Sequence, residues 1–455
     1  MNRENSFPRE ELHQLLTQLI QQILKRVEVA LREGAIKLLS RSYMRFTAEG
    51  SLFRGETFQK PDWAAGGHDI GCDIQKLPLS DEVVGRLSRL CEVEDARARH
   101  WLSQFVMRTV EEALSQGKGP DALVDNIVLF LDEIEEPERS YEFNIRVYVE
   151  GLSLEGTEIQ LDDDTILRNA HSQTYEVEVG PYGWDPQSSF FPSAFLDIKA
   201  ASPTPPGVSG NKVEGTVETG VAALRLFKVG VVHYTRYDWH TKAIIGPPRG
   251  SIMPHLSYVE NPSYVIRKQD EDRLTDFWLE VKKRLPKEVE RYWIAERASF
   301  LTLAFQRYSD ALLRDGVIER RIATGVMGLE ALYLSGGAEA SYKLRVRAAK
   351  VLSFLGYDSI KVIENLKEGY NVRSAFVHGR LSKEDDRRNL AKLMTHVLEY
   401  LRASILVILL GGCKDKSDMI ELADNALIHE DANNELKSRL EKVVSLVRVP
   451  EERLP

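Results

Sequence analysis

The apolar residues of this chain change their spacing twice, and no single-class fold accommodates both spacings. Leu12, Leu15, Leu16, Leu19, Ile20, Ile23, Leu24 and Val27 form one stripe with Gln, Lys and Arg between them. That is the period of an amphipathic helix. Phe143, Ile145, Val147 and Val149 instead alternate with polar neighbours, the period of a half-buried strand. From about Asp270 the helical period returns and stays. The sequence therefore predicts a multidomain α+β chain. A helical N-terminal region covers 1–139, a β-rich middle domain 140–268, and an all-α helical bundle with a charged tail 269–455.

Local signals fill in this plan. In the first region a helix is expected from Ser80, read as an N-cap before Asp81 and Glu82. Others follow over Val93 to Ser115 and Ala122 to Ile134. Strands are expected at Glu158–Leu161, Tyr175–Gly180, Ala194–Ala200, Val213–Thr219 and Val229–Trp239. Short strands separated by Pro/Gly turns such as Ser202 to Gly207 suggest a sandwich or barrel. The last region reads as helices over Glu288–Leu313, Ile318–Leu334, Tyr342–Leu355, Ser359–His378 and Ser382–Leu410. The Ser-Lys-Glu-Asp at 382–385 is close to a capping box, and one more helix is expected in the tail from 414.

Composition excludes several classes. The apolar share of 43% over 455 residues supports real cores. A net charge of -9 argues against a general coat of positive charge but leaves room for a local basic patch. Cys72, Cys91 and Cys413 form no CxxC pair, which fits a reducing cytosol. The first thirty residues lack an apolar block, and the run Ala403–Leu410 is too short to span a bilayer. A cytoplasmic chain with no membrane partner is expected. There is no Walker loop, GxGxxG or GxSxG, so NTPase, dinucleotide-binding and serine hydrolase chemistry are set aside. His233 and His240 lack a third ligand, Asp162-Asp163-Asp164 lacks the spacing of a calcium loop, and His68 with Cys72 is too sparse for zinc. No metal or cofactor is expected. His233, Arg236 and His240 stand among Tyr234, Tyr237, Trp239 and Trp184. An aromatic-basic sheet face can stack bases, but such residues are more often edge and packing residues.

One helix carries chemistry. Val362, Leu366, Gly369, Arg373 and Phe376 lie on one face at steps of three and four, so a guanidinium occupies an apolar seam. Burying an unpaired charge is costly. Either Arg373 has a partner such as Glu330, or the seam opens onto a polar site. Asn371, Ser374 and His378 make a polar line beside it, and Gly379 fits the position past the helix end. The helix carbonyls there favour a positive imidazole. A histidine that exchanges protons near neutrality beside a fixed cation suits phosphodiester chemistry. The same residues equally describe a capping histidine and a structural arginine.

Residues 318–380 resemble the helical HEPN domain (higher eukaryotes and prokaryotes nucleotide-binding) in its ApeA-like branch. The likeness rests on Gly328-Leu329-Glu330-Ala331-Leu332-Tyr333, on Lys343-Leu344-Arg345-Val346-Arg347-Ala348-Ala349, and on Tyr370-Asn371-Val372-Arg373-Ser374-Ala375-Phe376-Val377-His378-Gly379. The flanking helices extend it to about a third of the chain. The resemblance implies a metal-independent endoribonuclease of antiviral defence, a toxin of abortive infection. Its Arg-x4-6-His motifs meet across a homodimer to cut RNA, tRNA among the candidates. Arg373 and His378 would be the catalytic pair, with Asn371, Ser374 and Glu330 as support. The middle domain would sense a trigger the sequence does not name. Position 374 is Ser where many active members carry Asn, Asp or His, and the His-x-Tyr extension is absent. A non-catalytic dimerisation or nucleotide- or RNA-binding module is the alternative; a carbohydrate- or peptide-binding middle domain is a third reading. From Ala331 to Gly412 thirteen Lys or Arg stand against eight Asp or Glu. Lys343, Arg345, Arg347, Lys350 and Arg380 are the expected RNA contacts, unless they form only a solvated face.

Overall fold

The computed structural model describes residues 9–34, 38–46, 52–61, 77–116, 124–135, 140–179, 192–202, 210–241, 243, 249–252, 264–285, 299–314, 316–336, 339–380, 387–411 and 415–447. It is a mixed α+β protein, with an antiparallel sheet in the middle of the chain and helices before and after it.

Four N-terminal helices, α1 (Arg9–Arg32), α2 (Pro78–Cys91), α3 (Asp95–Gln116) and α4 (Val124–Glu135), enclose a core of their own. Leu16, Ile23, Leu87, Phe105 and Phe130 are buried there, and the two phenylalanine rings stack at 4.5 Å. Helix α2 starts at Pro78, which has no amide proton to leave unpaired in a first turn. Ser80 is therefore a buried residue of that turn and not its cap; Leu77 is the cap. The purely helical expectation for 1–139 also needs correction. A hairpin of β1 (Leu38–Phe46) and β2 (Leu52–Pro61) lies between α1 and α2, and β1 pairs with β7 (Tyr175–Val179) from the middle of the chain. That partner is distant in sequence, so no local pattern announces it.

The middle region supplies β3 (Tyr141–Glu150), β4 (Leu152–Leu154), β5 (Glu158–Asp162), β6 (Thr165–Asn169), β8 (Ala194–Ser202), β9 (His233–Thr241), β10 (Arg249–Ile252) and β11 (Tyr264–Ile266). Six of them form one sheet in the order β10-β9-β3-β8-β6-β5, with every pair antiparallel. This open sheet replaces the expected sandwich or barrel. Its apolar face is covered by helix α5 (Gly210–Phe227). Val213–Thr219 belongs to that helix and not to a strand. Val213, Val217, Val221 and Leu224 are buried at helical spacing, and packing on the sheet overrides the strand preference of the valines. Gly220 permits the close approach, since a Cβ there would lie 2.9 Å from Leu196.

The C-terminal helices are α6 (Glu271–Lys282), α7 (Phe300–Leu313), α8 (Ile318–Tyr333), α9 (Ala340–Ser353), α10 (Ser359–Val377), α11 (Arg387–Leu410), α12 (Lys416–Asn425) and α13 (Glu430–Val447). The tail thus holds two helices where one was expected. The first half of the expected Glu288–Leu313 helix and the expected cap at Ser382 lie outside the described residues. Arg388–Leu410 is long and apolar enough to cross a membrane, but 83% of its apolar window is buried inside the protein. Val397, Leu401 and Ile405 make it the central core helix. It comes close to α8 through Gly325 and Gly328, where a Cβ would meet Val397 at 2.9 Å and Leu401 at 2.6 Å.

One hydrophobic core continues from the sheet through α5 and α6 into these helices, and a buried polar joint fixes the connection. The last four carbonyls of a helix have no partner within it. At the end of α5 all four are met by side chains from elsewhere. Tyr264 Oη donates to the Leu224 carbonyl, and Tyr308 Oη donates to Arg225 at 3.1 Å. Arg402 Nη1 donates to Leu226 at 2.7 Å and Phe227 at 3.1 Å. The remaining edge of the Arg402 fork grips Glu399 at 2.7 and 2.6 Å. Arg402 and Glu399 are almost fully buried. Arg402→Ala leaves Glu399 an uncompensated buried charge, so a loss of about 3–5 kcal/mol is expected in urea unfolding.

A second tie joins α6 to α13. The Glu280 carboxylate accepts from Arg284 at 2.6 Å and pairs with Lys442 at 2.8 Å. These cations, Arg284 foremost, pull its pKa down from 4.5 to about 2. A depressed carboxyl stabilises the fold above its ordinary value, and that stabilisation is lost as pH falls from about 4.5 towards 2. Lys442→Ala should lower stability slightly and evenly above about pH 4.5 and leave it unchanged near pH 2, so that the acid limb of a stability-versus-pH curve becomes shallower.

Candidate functional site at the end of helix α10

Helix α10 starts where the Asp358 carboxylate accepts from the amides of Ile360 and Lys361 at 2.9 and 3.3 Å. It ends in a Schellman motif: Gly379 N donates to the Phe376 carbonyl and Arg380 N to the Ala375 carbonyl, both at 2.9 Å. Gly379 has a φ of 74°, the left-handed conformation that makes glycine the natural residue there. This ending displays His378 at the C-cap, with Val377, His378 and Arg380 all exposed.

The buried side of α10 is set by Val362, Leu366, Gly369 and Val372. A Cβ on Gly369 would lie 3.1 Å from Val397 and 3.3 Å from Val326. One turn further along both helices, Arg373 of α10 meets Glu330 of α8 at 3.5 Å. The glycine contact therefore brings the guanidinium to the carboxylate. The pair is loose for a charge-assisted contact. Arg373 is half-buried, its ring neighbour is Tyr370 at 5.6 Å, and its Nε is buried with no partner among the described residues. Burial raises the Glu330 pKa, with the Arg373 charge pulling the other way. Ser374 is half-buried beside this pair; Asn371 is exposed, 3.5 Å from Glu368. The motif thus divides into a half-buried Arg373–Glu330 pair and an exposed His378, about 7.5 Å apart along the helix axis.

The expected RNA contacts on α9 separate as well. Arg347 is buried, with its fork on Asp424 at 2.6 and 2.7 Å and Nη1 on the Tyr333 carbonyl at 2.7 Å. Buried and with three of its five N–H donors so engaged, Arg347 serves here as a structural tie, which speaks against the expected phosphate contact. Lys350 donates to Asn433 of α13 at 2.6 Å and lies over Phe354, so it too ties the bundle together. Lys343 and Arg345 are half-buried, Arg345 beside the Tyr342 ring. Of the five, Arg380 is the exposed one and stands next to His378.

The middle sheet holds polar residues that sequence reading passed over. Strand register aligns Asp238, Arg146, Asp197 and Ile166 in one row across β9, β3, β8 and β6. Arg146 clasps Asp197 at 2.7 Å through both Nε and Nη2, and Arg168 adds a third bond at 3.1 Å. Asp238 accepts from Tyr148 at 2.8 Å and Arg236 at 2.6 Å. All of these residues except Arg236 line a concavity of about 700 Å³. The alternation of Asn144, Arg146 and Tyr148 with buried Phe143, Ile145 and Val147 was the available signal. The same alternation separates Arg236 and His240 from Tyr237 and Trp239, which face the core side. They form no common aromatic-basic face; Trp184 lies outside the described residues. Asp162 is no free turn residue either, since Trp278 and Lys282 both donate to it at 2.6 Å. Among the described residues no three His, Cys, Asp or Glu side chains converge as a metal site.

No protein family, curated protein or solved structure matches this chain.

Two outcomes test this geometry. Because burial favours the neutral acid, Glu330 makes stability fall as pH rises from 4.5 through its raised midpoint. Arg373→Ala should move that midpoint higher still in a carboxyl NMR titration; a downward move contradicts the pairing. Arg347→Ala should lower thermal stability through the loss of a half-buried ion pair, whatever it does to RNA affinity.

Proposed function

We propose that the C-terminal helices form a HEPN-type, metal-independent endoribonuclease in which Arg373 and His378 are the catalytic pair. The observation that carries this reading is the end of α10, where an exposed imidazole and Arg380 project beyond a guanidinium held only loosely by Glu330. In the reaction His378 takes the proton of a 2′-hydroxyl as that oxygen attacks the adjacent phosphate. Arg373 balances the charge developing on the phosphate oxygens. The P–O5′ bond breaks, the leaving oxygen is protonated, and the products are a 2′,3′-cyclic phosphate and a 5′-hydroxyl. Two copies of the chain, paired through this bundle, would face their motifs to one another across a shared cleft. The resemblance to ApeA-like domains extends the proposal to a toxin of abortive infection acting in the cytoplasm.

A second reading has its own observation. Arg373 already touches an acid and is half-buried, which suits a non-catalytic module that dimerises or binds RNA or nucleotide. Incubating the full chain with total RNA and tRNA in EDTA separates the two. Fragments ending in 2′,3′-cyclic phosphate are expected. His378→Ala, an exposed position that should not disturb folding, should lower cleavage about 10²–10⁴-fold, with a comparable loss for Arg373→Ala. Cleavage by both variants at the wild-type rate sinks the site assignment. Intact RNA with every protein, alongside retained RNA binding, favours the module.

A further inference from the structure

The polar face of the middle sheet is divided into a floor that neutralises itself and a row that does not. The Asp238–Arg146–Asp197 row is internally paired, as described above. The next row, two residues along each strand, aligns His240 of β9, Asn144 of β3 and Lys199 of β8. It continues to Asp164, whose carbonyl accepts from the Lys199 amide at 2.7 Å. Among the described residues none of the side chains of His240, Asn144, Lys199, Asp163 and Asp164 makes a hydrogen bond or ion pair. All five line the 700 Å³ concavity, a size suited to a small ligand.

The row is polarised. Lys199, Asn144 and the His240 ring supply hydrogen-bond donors, and Asp163 with Asp164 supplies only acceptors at the other end. Neighbours across strands stand about 5 Å apart. An anion seated over Asn144 would therefore have Lys199 on one side and His240 on the other. Arg146, about 7 Å along β3, spends Nε and Nη2 on Asp197 and keeps Nη1 for the same anion. Four donors around one position suit the three terminal oxygens of a phosphate better than the two of a carboxylate. Beyond Lys199 the Asp163 and Asp164 carboxylates would accept from hydroxyl groups. Their charge repels a second phosphate at that end.

We propose that this face binds a small phosphate monoester carrying free hydroxyls, a mononucleotide or a sugar phosphate. The phosphate sits over Asn144 between Lys199 and His240, and the hydroxyls sit on Asp163 and Asp164. The site is independent of the nuclease reading, because its test measures binding and not RNA cleavage.

The experiment is calorimetric titration of the full chain with adenosine 5′-monophosphate, ribose 5-phosphate, inorganic phosphate and adenosine. At least one of the two esters should bind, more tightly than inorganic phosphate, and adenosine should not. A preference for adenosine monophosphate over ribose 5-phosphate identifies a nucleotide site, and the converse a sugar-phosphate site. Lys199→Glu, at an exposed position, should weaken ester binding by at least about tenfold, the loss of one charge-assisted contact. Asp164→Asn should weaken the esters without weakening inorganic phosphate. The proposal is overturned by silence from both esters, by equal binding of adenosine, by no preference for esters over inorganic phosphate, or by unchanged affinity in Lys199→Glu. Circular dichroism of each variant verifies that a loss is not unfolding.

Discussion

The C-terminal end of helix α5 is the joint on which the architecture depends. A helix end buried inside a protein carries four unsatisfied carbonyls, each costing about as much as a lost hydrogen bond. Here β11, α7 and α11 each send one side chain to that end. The helix that covers the sheet is thereby locked to the helix at the centre of the bundle. Arg402 is suited to the position because it is a cation at a negative helix end and has enough donors to hold Glu399 as well. Tyr357, at the turn into α10, donates to Glu399 in turn. The polar chain thus runs from the sheet's covering helix to the entrance of the motif helix.

The candidate site is a consequence of close packing around α10 and of how its chain ends. Gly369 lets α10 approach α8, so the following turn meets Glu330 with Arg373 and not with an aliphatic residue. Gly379 then closes the helix and turns the chain away, leaving His378 at the rim. Arg347 and Lys350 are drawn from the same basic helix into contacts with α12 and α13. What remains for an anionic partner is narrower than the charge count of the region: of the expected contacts it keeps Arg380 and the two partly covered residues Lys343 and Arg345.

The sheet extends the same theme to the middle of the chain. One of its faces is apolar and buried by α5. The other carries alternating acids and bases whose pairing follows from strand register and not from proximity in sequence. Arg146 and Asp197 are 51 positions apart, yet they lie directly opposite one another. No motif scan joins such residues, because the unit of recognition is a row across strands contributed by separate stretches.

Period and punctuation are enough to read most of the described helices of both ends, the strands β3, β5, β7, β8 and β9, and the seam of α10 with its closing glycine. These are local properties, set by the few residues within a turn or a pleat. Val213–Thr219 suits both periods, because a short alternation of valines with polar residues satisfies either, and only the burial of Val213 and Val217 in the core against the sheet selects the helix. The β1–β2 hairpin is completed by a third strand, β7, from beyond α4, a pairing that no local pattern encodes. Which arginine stays free and which is absorbed was decided by partners remote in the chain: Asp424 for Arg347, Glu330 for Arg373, Glu399 for Arg402. A sequence records where charge is placed along the chain. Its neutralisation is a matter of distance in space, and only the folded chain sets that distance.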